Sequence, residues 1–168
     1  MTKPKGVLVL LILITFGFSG GILYWAGTHS IRTHDLRFSP SSPLNWTQID
    51  TRFALHGRLY FPLGYDATSQ YPTVILFHGL GGQLEHNHVL AQQLATRGIL
   101  TLSVSFRGHG ESGGTFPFEN SSLYNATFGD ALGAYRYLTT RSDVDLTRIG
   151  GMGQSLGGGA ALFLGIVS

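Results

Sequence analysis

Ser155 lies in Gly153-Gln154-Ser155-Leu156-Gly157, a G-x-S-x-G pentapeptide between a strand-like run and an apolar helical run. That spacing suits a nucleophilic serine. The Ser sits on a sharp, strained turn that lifts its hydroxyl above the sheet, and glycines two before and two after remove side chains that would collide there. The dipole of the helix that follows points its positive end at the site. Gly and Ser are common residues, so a glycine-rich turn would explain the pentapeptide equally well if it stood alone.

It does not stand alone. His78-Gly79-Leu80-Gly81-Gly82 follows a short run of β-branched and apolar residues, Thr73 to Phe77. In this arrangement the backbone N–H of Leu80 pairs with that of Leu156 as an oxyanion hole for a tetrahedral intermediate, a device worth ~10²–10³ in rate per donor. His78, at a strand end, is expected to position that loop rather than to act as a base. A third glycine-rich segment, Arg107-Gly108-His109-Gly110-Glu111-Ser112-Gly113-Gly114, follows a second buried run, Leu100 to Phe106.

The elements that must carry these loops are legible. Continuous apolar runs at 73–77 and 100–106 predict strands buried on both faces. A helix is predicted from about Glu85 to Arg97, with Leu90, Ala91, Leu94 and Ala95 at helical spacing and Gly98 as its cap. Thr127 and Asp130 read as a capping-box-like pair opening a second helix that runs to about Thr140. Residues 148–152 read as a weaker strand, with Gly151 at a position usually apolar, and 160–167 as an apolar helix. Trp46 to Phe61 suggests two strands that meet near Gly57 in a hairpin. Alternating strands and helices predict an α/β domain with a mostly parallel sheet and flanking helices.

With these three motifs in this order, the chain from about Trp46 onward resembles the α/β-hydrolase superfamily, and within it the serine aminopeptidase and acyl-esterase-like branch. The resemblance implies Ser155 as nucleophile and the backbone N–H groups of Leu80 and Leu156 as oxyanion donors. Gln154 departs from the His often found before this Ser. The triad order in this superfamily is Ser, then Asp or Glu, then His. Only 13 residues follow Ser155, none of them Asp, Glu or His, and all seven His (29, 34, 56, 78, 86, 88 and 109) precede it. His109 is the tempting substitute base but belongs to the loop after the second buried strand. Asp130, Asp143 and Asp145 read as cap and loop residues. The sequence thus reads as the front part of a longer enzyme, with the triad acid and base beyond it.

Ahead of this domain, Lys3 and Lys5 precede an uncharged run from Gly6 to Gly27, long enough to cross a bilayer core and ending near Tyr24 and Trp25. Residues 1–27 are read as a transmembrane signal anchor contacting the lipid bilayer through 6–27, residues 28–44 as a linker, and 45–168 as the partial hydrolase domain. The alternative at the N-terminus is a signal peptide cut after Gly21. The flanking lysines favour a cytoplasmic N-terminus and an extracytoplasmic domain, with Arg32 and Arg37 pulling the other way. Sequons at Asn45, Asn120 and Asn125 are compatible with that side.

Composition narrows the partners. A net charge of +2 without a basic run argues against nucleic acid, and the absence of Cys excludes disulfides and thiolate metal sites. No cofactor or metal is called for. The expected substrate is a small ester, amide or short peptide. Two rivals remain: a non-catalytic membrane-anchored binding protein on the same fold, and a nucleotide-binding module. The second fits poorly, because its glycine-rich turn belongs after a first strand with an acidic residue about 20 positions on.

Overall fold

The computed structural model describes residues 31–41, 52–118 and 122–167. Five strands form one sheet: β1 (Thr33–Phe38), β2 (Leu55–Tyr60), β3 (Tyr71–Phe77), β4 (Leu100–Val104) and β5 (Val144–Gly153), in the order β1-β2-β4-β3-β5. A 3₁₀ turn (Leu84–Asn87) leads into α1 (His88–Ala95), and α2 (Ser122–Thr139) and α3 (Leu156–Val167) follow β4 and β5.

The sheet is mixed rather than mostly parallel. β1 runs antiparallel to β2, and β2 antiparallel to β4; only β4, β3 and β5 are parallel. The reason is the connections. Parallel neighbours need a crossover, which α1 and α2 supply between β3, β4 and β5, whereas the antiparallel pairing of β1 with β2 needs none.

β3 shows how the layers form. Ile75 and Phe77 face the large core under α2 and α3, with Leu102, Ala131, Ala134, Leu138, Ala160 and Phe163. Leu76 faces the smaller core under α1, with Tyr60, Ala91 and Ala95. Side chains alternate across a strand, so a strand covered on both faces must be apolar throughout.

Three local expectations are corrected. Residues 33–38, read as linker, form β1, and the stretch after it is docked on α2. Ser41 N–H donates to the Gly129 carbonyl (2.8 Å), and a methyl at Gly133 would lie 2.5 Å from the Ser39 carbonyl oxygen. The Arg136 guanidinium adds a hydrogen bond to Ser41 Oγ. The hairpin turn at Gly57 is instead the middle of β2, where a side chain would meet the Phe38 ring at 2.9 Å and Leu102 at 3.1 Å. Gly57 is there for close packing, and residues 46–51 lie outside the described chain.

The capping box is also absent. α2 begins at Ser122, so Thr127 and Asp130 lie well inside it and are fully buried. Thr127 Oγ1 donates to the Leu123 carbonyl one turn back, so the hydroxyl of the Asn125 sequon is enclosed. The transmembrane run at 6–27 and the sequons at Asn45 and Asn120 fall outside the described residues. Among the described residues, no helix is long and apolar enough to cross a membrane.

Candidate active site

Ser155 stands between the end of β5 and the start of α3, and it is the one non-glycine residue with a positive φ (52°) among the described residues. L-residues avoid that region, so the surroundings must enforce it. The enforcing contacts are backbone contacts. A methyl at Gly153 would lie 2.4 Å from the Gly157 carbonyl carbon, and one at Gly157 would lie 2.4 Å from the Phe77 carbonyl oxygen. The end of β5, the first turn of α3 and the end of β3 thus meet where only glycine fits. Gly151 has a related reason: its hydrogen-for-methyl gap is filled by Ala161 of α3, 3.1 Å from the would-be Cβ.

The loop after β3 comes to the same point. A methyl at Gly79 would be 3.5 Å from the Gln154 carbonyl oxygen and 3.9 Å from Ser155 Cβ. Gly79 to Gly82 is a tight turn closed by Gly82 N–H to the Gly79 carbonyl (3.0 Å). Gly81 at φ 74° takes its third position, where a type II turn requires positive φ. The Leu80 N–H makes no hydrogen bond among the described residues. The Leu156 N–H opens α3 and has no partner within the helix.

His78 does what the sequence predicts of it. Its Nε2 accepts from the Phe106 N–H (3.0 Å), so Nδ1 carries the proton and donates to the Gly79 carbonyl (2.6 Å). Burial pushes its pKa down to about 4, with the neighbouring His109 and His86 adding to that and the Gly79 contact opposing it. It is a neutral clamp between the ends of β3 and β4. A consequence is measurable. The folded state resists a proton that the unfolded chain accepts near pH 6.5, so the unfolded state binds more protons between pH 6.5 and 4 and stability falls as pH falls through that window. The loss from this one group is expected to reach about 3 kcal/mol at pH 4. Urea unfolding at pH 7 and pH 4.5 checks it: His78→Gln should show a visibly shallower pH dependence than the native chain, and equal slopes would refute the assignment.

His109 is committed as fully. Nε2 accepts from the Gly81 N–H (3.3 Å), and Nδ1 faces the Arg107 carbonyl (3.0 Å). Neither nitrogen is left to take a proton from Ser155. The rest of its loop is tied down as well. Arg107 pairs with the fully buried Asp130 through its side chain (2.6 Å) and its N–H (2.8 Å), and Ser112 Oγ bridges the Ser105 carbonyl (2.6 Å) and the His56 N–H (2.8 Å).

Sequence reasoning missed two supports. Ser103 and Ser105, inside what reads as an apolar run, hold the Leu84 carbonyl (2.9 Å) and N–H (3.0 Å), fixing the far end of the Gly79–Gly82 turn. Their two-residue spacing, which puts both on one face, was the available signal. The second is Asp130, for which the available signal was the stripe Ala126, Asp130, Ala134 and Leu138, recurring every four residues along one buried helix face. Among the described residues no cluster of three His, Asp or Glu side chains could hold a metal ion.

A family model described as serine aminopeptidase, S33, matches residues 68–166, well over half of the chain and all three motifs. The chain belongs to the serine aminopeptidase (S33) family. A curated relative, the uncharacterized protein YcjY of Escherichia coli (strain K12), is 39% identical over 107 residues, covering 63% of this chain and 34% of that protein. An acetyl xylan esterase from Paenibacillus sp. R4 superposes with a TM-score of 0.65 at 22% identity, over 85% of this chain and 47% of the esterase. Porphyromonas gingivalis dipeptidyl peptidase 4 does so with a TM-score of 0.60 at 21% identity, over 80% of this chain and 19% of that one. These structures establish the fold, that of the α/β-hydrolases. The S33 chain spans about a third to a half of the length of YcjY and the esterase.

Proposed function

We propose that this S33 chain carries the nucleophile half of a serine hydrolase that cleaves a small ester, amide or short peptide through an acyl-enzyme on Ser155. The observation that carries the reading is the positive φ of Ser155, held by glycine contacts beside the His78–Gly82 turn. Strain at a single exposed polar residue is a mark of function, since the fold gains nothing else from it. Leu80 and Leu156 N–H groups serve as the oxyanion donors, and the turn at Gly81 and the start of α3 fix them before substrate arrives.

A serine hydroxyl needs a base to become a nucleophile. Both nitrogens of His78 and of His109 are engaged, so the base and its acid partner are taken to come from polypeptide beyond these 168 residues, in keeping with the fraction of its relatives that the chain spans. The apolar run at 6–27 anchors the enzyme in a membrane, with its hydrolase part on the extracytoplasmic side.

One experiment tests the whole reading: a fluorophosphonate probe applied to carbonate-washed membranes carrying the parent polypeptide. Ser155 is expected to take the label, and Ser155→Ala to lose both label and turnover by roughly 10⁶-fold. Labelling that survives Ser155→Ala would sink the nucleophile. An unlabelled native protein would favour a binding role on the same fold. Label recovered only in the soluble wash would refute the anchor and leave the hydrolase reading intact.

A further inference from the structure

The turn from Gly79 to Gly82 is fixed at both ends and exposed between them. His78 holds its entry through the Gly79 carbonyl, and Ser103 and Ser105 hold Leu84 at its exit. Leu80, at the apex of the turn, is 54% exposed. The His109 side chain reaches the apex, where its Nε2 accepts the Gly81 N–H.

We propose that His109 is a positioning residue of the oxyanion turn, setting the direction of the Leu80 N–H by holding the next amide, that of Gly81. The inference rests on the Ser155 hydrolase reading and deepens it. The peptide units of Leu80 and Gly81 share the Leu80 Cα inside a turn closed by Gly82 N–H to the Gly79 carbonyl, so with the ends held, fixing the Gly81 amide restricts the tilt of the Leu80 amide. The imidazole is itself aimed from behind. Accepting at Nε2 leaves the proton on Nδ1, which meets the Arg107 carbonyl, and the Arg107 backbone is pinned by its N–H to Asp130 and by the buried ion pair. The Phe116 ring packs edge-on against the imidazole at 4.7 Å and the His78 ring lies 5.1 Å away, which leaves it little room to rotate. The residue that looks from sequence like a spare base is spent on geometry.

The test compares two polar replacements that differ in which nitrogen they imitate. His109→Gln brings an acceptor to the Nε2 position and retains the hold on Gly81. His109→Asn reaches only the Nδ1 position and retains the Arg107 contact. In the parent polypeptide with a p-nitrophenyl ester, Gln is expected to keep kcat within about 3-fold. Asn is expected to lower kcat by ~10–100-fold with KM little changed, since a misaimed oxyanion donor weakens the transition state and not the ground state. Thermal unfolding of both variants separates this from a loss of fold, and the Gly81 amide proton shift should move upfield in Asn but not in Gln. Equal kcat in Asn, Gln and native protein overturns the proposal, as does equal damage in both. So does total loss in both together with disappearance of the neutral-pH limb of the rate profile, which would make His109 the base. If Ser155→Ala proves fully active, the hydrolase reading fails by itself, while the Gly81 shift still reports whether His109 holds the turn.

Discussion

Gly157→Ala is expected to destabilise the chain by at least ~3 kcal/mol, while Gly159→Ala, two residues along the same helix, is expected to stabilise it by about 0.5–1 kcal/mol. The new methyl at 157 would sit 2.4 Å from the Phe77 carbonyl oxygen and 2.7 Å from that of His78. Both are backbone atoms at the end of a central strand, so no rotamer change relieves the clash. Either β3 or the first turn of α3 must move, and the elbow that strains Ser155 goes with it. At 159 nothing lies within 4 Å of the added methyl, and alanine there only lowers the entropy of the unfolded chain. Urea unfolding followed by circular dichroism reads both. Two variants of the same sign would show that helix propensity, not the contact with β3, decides what position 157 accepts.

Asp130→Ala is the second large effect, a loss of about 3–5 kcal/mol. The carboxylate is fully buried and takes three contacts from the Arg107 side chain and one from its backbone N–H. Removing it strands a guanidinium that is itself 5% exposed, with the cost of a charge desolvated and unpaired. The sharper measurement is a double-mutant cycle. Arg107→Met with Asp130→Leu should be less destabilised than either single change, because the pair removed together leaves no orphan charge. Additive losses would show that the two residues matter through packing alone. Because the Arg107 carbonyl receives His109 Nδ1, the same substitution is also expected to loosen the oxyanion turn.

The features legible in sequence and those that were not divide along a physical line. The runs at 73–77 and 100–106 announced buried parallel strands because burial on both faces demands apolar residues at every position. The three glycine-rich loops announced the site because each lies directly after a strand, where a parallel sheet collects its loops at one end. His78 was assigned its clamp role correctly from its position at a strand end. These are local signals, carried by residue type and period.

What failed was everything that depends on a partner distant in sequence. Residues 33–38 offer only two alternating apolar residues, Leu36 and Phe38, too short a pattern to stand out, because β1 is an edge that is otherwise exposed and pairs with β2 through its backbone. Gly57 looked like a turn because its true reason, the Phe38 ring packed against it, comes from another strand. Asp130 looked like a cap because a buried carboxylate makes sense only beside Arg107, 23 residues earlier. His109 shows the division most sharply. Sequence established that a histidine stood in the loop after the second buried strand. Tertiary structure alone decided which hydrogen bonds its two nitrogens make, and hence that it is bound to Gly81 and Arg107 instead of being free to accept a proton.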